Sequence, residues 1–140
     1  MNYLNTLPIH LGQDTFTISE FTALDRLRSL QYEADLPVMD RPGDDASREE
    51  KLAYSIFLEE NGLKQVTYSL ALSLMHQAHT VDGELRQFDS VEDLQAMLDS
   101  QWPIKKLNQA YELLNRLNDP NFEPEDDDQA PKEPPTPEKS

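Results

Sequence analysis

The chain has 140 residues, no cysteine and a formal net charge of −15, with a pI near 4.3. The missing cysteine excludes disulfides, thiol catalysis and thiolate metal sites, and so acidic a surface opposes direct binding to nucleic acid or to anionic membranes. The length suits one modest domain with an appendage.

The opening MNYLNTLPIH has neither a basic region nor an apolar run, so no signal peptide is expected. Two short extended runs, 7–11 and 15–18, are separated by Gly12-Gln13-Asp14, which predicts a hairpin. Phe16 and Ile18 alternate with Thr15 and Thr17, the period of a half-buried strand, and Pro8 confines the first run to a sheet edge. Ser19 is placed to cap a helix over 20–32. Phe21, Ala23, Leu24, Leu27 and Leu30 form one stripe of that helix, expected to face inward, with Asp25, Arg26 and Arg28 outside it. Residues 33–46 are a loop punctuated by Pro37 and Pro42-Gly43. The capping box Ser47-x-x-Glu50 then opens a second helix to about residue 60, with Leu52, Ala53, Ile56 and Phe57 on one face. Asn61-Gly62 is expected to end it, or to kink a longer one.

The central helix is expected over 63–79. Leu63, Val66, Leu70 and Leu74 make one stripe and Tyr68, Leu72 and Met75 a second, so other elements or another copy should surround it. Residues 65–81 carry no formal charge but are too polar for a membrane span. After a loop over 80–89, Ser90 caps a short helix with Val91, Leu94, Met97 and Leu98 inward. Trp102-Pro103 breaks the chain, and Pro103 suits the first position of a last helix with Ile104, Leu107, Ala110, Tyr111, Leu114 and Leu117 at heptad-like spacing.

Residues 119–140 hold six of the ten prolines and eight acids against two lysines, with Phe122 the one large apolar side chain. Such a segment buries too little to offset its ordering entropy. The expected architecture is therefore mainly α: a body over 1–118 of about five helices with a short N-terminal β-hairpin, then a disordered acidic C-terminal tail over 119–140.

No catalytic, cofactor or metal constellation stands out. His76 and His79 lie three apart without a third ligand at suggestive spacing. Asp126, Asp127 and Asp128 lack the glycine turn and spaced glutamate of a calcium loop. Asp44-Asp45 and Glu49-Glu50 have nothing to fix their separation, and Ser69 and Ser73 lack a nucleophile elbow. The apolar excess on the central helix is the site-like feature: Tyr68, Leu72 and Met75 are candidates for self-association or partner binding. Asp126, Asp127 and Asp128 are candidates for electrostatic contact with a partner or for solubility.

Three stretches in order carry a resemblance: FTISEFTALDRLRSL after the first strands, YSLALSLMHQ in the central helix, and QWPIKKLNQAYELLNRL closing the body. With the acidic, proline-containing end, the chain resembles the G-type tail assembly chaperones of lambda-like long-tailed bacteriophages. The resemblance implies a non-catalytic late protein of the host cell cytoplasm, absent from the mature virion. It further implies coating of the tape measure protein, and a −1 frameshifted fusion that recruits the major tail protein. Codons compatible with Ala130-Pro131-Lys132 include the slippery heptamer C-CCA-AAG, and Leu117-Asn118 is also codon-compatible. Two rivals come from other classes: an acidic DNA mimic inhibiting a host nuclease, and a hydrolase or metalloprotein.

Overall fold

Gly12, at a φ of 60°, lets the chain reverse within two residues. The reversal joins β1 (Thr6–Leu11) to β2 (Asp14–Ser19) as the expected hairpin. Ile9 sits opposite Phe16 and Leu7 opposite Ile18, so the apolar alternation of both strands falls on one sheet face. These elements belong to a computed structural model that describes residues 3–124.

Helix α1 (Ala23–Asp35) starts three residues later than its stripe predicted, because Thr22 rather than Ser19 is its N-cap. The Thr22 side chain accepts from the Asp25 N–H at 3.1 Å, and Asp25 accepts from the Thr22 N–H at 2.9 Å. Ser19 instead ends β2. Its N–H donates to the Ser73 hydroxyl, which donates back to the Ser19 carbonyl, both at 2.7 Å.

Helix α2 (Arg48–Leu74) runs 27 residues without the expected stop at Asn61-Gly62. Its start is the predicted box, in which the backbone N–H and hydroxyl of Ser47 hold the Glu50 carboxyl below its usual range. A lone glycine inside a helix costs about 1 kcal/mol against alanine, too little to end a helix with strong formers on both sides. Asn61 also donates to the Pro37 carbonyl at 2.9 Å, tying the preceding loop to the helix. A Cβ at position 62 would meet nothing within 4 Å. Gly62→Ala should therefore raise unfolding stability by roughly 0.5–1 kcal/mol, measured by urea denaturation.

The helix ends at Leu74, and the region expected to be a loop contains β3 (His79–Val81) and β4 (Glu84–Arg86). Asp82 and Gly83, at φ 53° and 82°, form the two-residue connection. An Asp-Gly pair with both residues left-handed is the favoured hairpin turn, so this signal was present in the sequence. Helix α3 (Val91–Gln101) has Ser90 as its cap, as expected. Helix α4 (Ile104–Asn118) has Pro103 as its N-cap, one position before the expected place.

The strands form one antiparallel sheet in the order β1-β2-β3-β4, with Pro8 on an edge strand. The expectation of a mainly α fold with about five helices is thus corrected. Four helices cover 54% of the described residues, and with the four-stranded sheet they make a mixed α/β fold. Ile9, Phe16 and Ile18 of the sheet pack with Leu70, Ala71 and Leu74 of α2, Leu94 and Leu98 of α3, and Leu107, Ala110, Leu114 and Leu117 of α4. Trp102 stands edge-on to Phe16 at 5.0 Å. Phe122 also packs on this core, after a turn in which the Asp119 carbonyl accepts from its N–H at 2.9 Å. The expectation of disorder falls in part on residues 125–140, which lie outside the described residues.

Candidate interaction surfaces

Asp25, Ser29 and Tyr32 lie four and three residues apart, on one face of α1. That face holds the helix to α2. The Asp25 carboxylate, 5% exposed, is 2.6 Å from Nε2 of His76. The Ser29 and Ser69 hydroxyls are 3.3 Å apart. The Tyr32 ring stacks on Tyr68 with centroids 3.9 Å apart and planes 5° from parallel, and its hydroxyl accepts from the Gln95 side chain at 3.1 Å. Attachment by the polar face reverses the expected orientation of α1. Leu24, Leu27 and Leu30 are 54%, 59% and 45% exposed. The physical reason lies in α2: its apolar residues Leu70 and Leu74 are taken by the sheet and α4, leaving Tyr68, Ser69 and His76 for α1.

A second uncovered surface follows α2. Its buried residues are confined to Thr67, Ser69, Leu70, Ala71, Leu72, Ser73 and Leu74, so the first two-thirds of the helix contributes none. Leu52, Ile56 and Leu58 remain exposed there. Two clefts share one face of this helix. One is lined by Ser55, Leu58, Glu59, Gly62, Leu63 and Val66 with Ile104 and Asn108 of α4. The other is lined by Gln65 and Ser69 with Tyr111, Leu114, Asn115 and Asn118 of α4, and on its far side by Phe21, Arg26, Ser29, Leu30 and Glu33. Together they make a trough floored by α2 and walled by α4, spanning residues 55–69, about 21 Å at 1.5 Å per residue. Ser55, Gly62 and Ser69 recur every seven residues along its floor, with Ser55 and Gly62 on the open part and Ser69, 4% exposed, beneath Ser29 of α1. Small residues at heptad spacing let a partner helix approach closely, while Leu58, Ile104 and Leu30 supply apolar contact along the sides. That seven-residue spacing was the signal available in the sequence.

Of the residues singled out from sequence, Leu72 is 1% exposed, Met75 is partly buried against the core, and Tyr68 is half-buried beneath Tyr32. Burial pushes the Tyr68 phenol above its ordinary pKa. Asp126, Asp127 and Asp128 lie outside the described residues. The two histidines diverge: His76 meets Asp25, whereas His79 is buried in β3 with its Nδ1 facing the Thr17 N–H. Among the described residues no group of three or more His, Asp or Glu side chains is placed to hold a metal. Ser69 and Ser73 bond to Ser29 and Ser19, as contacts between elements. Asp14, Asp82, Asp89 and Asp93 line a cleft between the strands and α3, where the Arg86 guanidinium lies 4.5 Å over the Phe88 ring.

No described helix is long and apolar enough to cross a membrane. No curated protein and no solved structure matches the chain. Residues 2–136 match the family described as bacteriophage lambda tail assembly chaperone, TAC, protein G. With nearly the whole chain matched, this protein belongs to the lambda tail assembly chaperone family of protein G.

Proposed function

We propose that this protein coats the tape measure protein in the host cytoplasm before the tail tube forms around it, and leaves before the virion is complete. Its family is one of tail assembly chaperones, which implies a non-enzymatic role. The trough along α2 carries the reading: a helix-length surface with exposed leucine and isoleucine walls and a small-residue floor fits a helical segment of a partner. A scaffold that must later depart favours many modest contacts over one permanent interface, and a half-covered trough of four turns supplies one such contact. Tyr68 contributes by holding α1 as the far wall through its stack on Tyr32, Leu72 and Met75 by packing within the body, and Asp126, Asp127 and Asp128 by electrostatic contact or solubility. A −1 frameshift near Ala130-Pro131-Lys132 joins the chain to a domain that recruits the major tail protein. The gene tests that step directly, since codons other than the slippery heptamer there and at Leu117-Asn118 would remove it.

Binding is tested by co-expression with the long helical protein of the same tail gene cluster, tagged for capture. Co-elution of several copies per captured chain is expected. Capture of the tagged protein alone, from cells that hold both in folded form, would overturn the reading.

A further inference from the structure

The outward face of α1 carries a seam that borders the trough along Arg26, Leu30 and Glu33. Ala23, Leu27, Leu30 and Ala34 are spaced four, three and four residues apart, and all four are exposed. Leu24 and Gln31 flank them on one side, both exposed and uncharged. The result is a face free of charge on a chain of net charge −15. Spacing of this kind places the four side chains in the a and d positions of a coiled-coil heptad, with Leu24 and Gln31 at e and Arg26 and Glu33 at g.

Charge on the g positions decides what covers the seam. In an antiparallel pair, g residues face g residues of the partner helix, so Arg26 of each copy meets Glu33 of the other. In a parallel pair, g faces e, and each charge meets an uncharged Leu24 or Gln31. The seam itself is symmetric in the antiparallel sense, since Leu27 falls opposite Leu30 and Ala23 opposite Ala34. No other helix is needed to complete it.

We propose that α1 is the seam of an antiparallel, two-fold dimer of this chain, with its ends held by two symmetric ion pairs between Arg26 and Glu33. A two-fold contact uses the same patch on both copies and closes on itself. One pair of four-turn helices falls short of the roughly 1,200 Å² at which standard stable interfaces begin. The dimer is therefore weak and reversible, forming as copies are concentrated. The seam shares Arg26, Leu30 and Glu33 with the far side of the trough, so the two contacts are told apart by residues that belong to one alone, Leu27 for the seam and Leu58 and Ile104 for the trough.

The test is sedimentation velocity of the full chain across concentration, with circular dichroism confirming that each variant is folded. The unmodified chain should move from 16.1 kDa towards twice that mass. Arg26→Glu and Glu33→Arg should each raise the dimer dissociation constant roughly tenfold, which is what two exposed pairs turned repulsive are worth. Glu33→Arg should do so although it makes the chain less acidic. The double variant should recover the original affinity, because it restores both pairs with the signs exchanged. Since the chain has no cysteine, a mixture of Leu27→Cys and Leu30→Cys chains should cross-link to each other under mild oxidation faster than either alone. A monomer at millimolar concentration, a double variant no tighter than the singles, or preferential Leu27→Cys self-linkage would each overturn the proposal. So would a seam that binds only a foreign helix, seen as lost tape-measure capture in Leu27→Glu without any change in mass.

Discussion

His79→Leu should destabilise the protein by about 2 kcal/mol or more, although a leucine fills much of the same space. The imidazole is 1% exposed and bridges three elements. Its Nδ1 accepts from the Thr17 N–H of β2 at 3.1 Å, which leaves the proton on Nε2 to donate to the Leu74 carbonyl at 2.9 Å. The Leu74 carbonyl belongs to the last turn of α2, where it otherwise accepts a long bond of 3.4 Å from the Gln77 N–H. Leucine would leave the part-buried Thr17 N–H without its acceptor, at about 1–3 kcal/mol, and the Leu74 carbonyl with only the long bond from Gln77. It would also remove a ring 5.1 Å from Phe16 and 6.3 Å from Phe88. The measurement is the urea midpoint at pH 7.5; an unchanged midpoint would show that the bridge contributes nothing.

The same site predicts a pH dependence. Burial pushes His79 below the ordinary histidine value of 6.5, partly opposed by its bond to the Leu74 carbonyl. The unfolded chain then takes up the proton more readily than the folded one. Stability from this group is complete above pH 6.5 and declines as the pH falls from there towards the folded-state pKa. Urea midpoints taken in steps below pH 6.5 should fall in the parent more steeply than in His79→Leu, which lacks the titrating group. Parallel curves for the two proteins would refute the assignment.

Legibility from sequence differed by element for identifiable reasons. The hairpin of β1 and β2 was readable because its turn residues and its period-two pattern agreed. The β3–β4 hairpin is faint in the sequence because three-residue strands show almost no period, leaving Asp82-Gly83 as their one local mark. Gly62 misled in the other direction, since its propensity cost is smaller than what a 27-residue helix and its bound loop supply. The α1 stripe is plain in the sequence, but its direction is not. Periodicity reports that two faces differ, while which face turns inward depends on what the neighbouring helix has left to offer. Here α2 had already committed Leu70 and Leu74 to the sheet and α4. The candidate surfaces inherit that ambiguity: Tyr68 and Leu72 read as an apolar excess on α2, and the excess that stays uncovered is on α1 and on the first part of α2.

Leu58→Glu combined with Ile104→Glu should abolish capture of the tape-measure partner while leaving the fold intact. Both side chains are about half exposed, at 52% and 51%, and both line the same cleft, from α2 and from α4. In the free protein the new carboxylates reach water, so unfolding stability should change by no more than about 1 kcal/mol. Under a docked helix both charges would be buried without partners. A penalty of a few kcal/mol, shared between them, weakens binding by at least a hundredfold. Gly62→Leu tests the floor independently. The backbone there is helical and nothing lies within 4 Å of a Cβ, so a leucine is tolerated by the free helix. Its side chain then occupies the space between Ser55 and Ser69 that a close-packed partner needs. The small-residue floor thus makes two opposite expectations of one position: alanine or leucine at 62 strengthens the isolated chaperone, and the larger of them costs it its partner. Capture that survives Gly62→Leu undiminished would remove the trough from consideration and leave Leu24 and Leu27 of α1 with Leu52 and Ile56 of α2 as the exposed apolar residues a partner could cover.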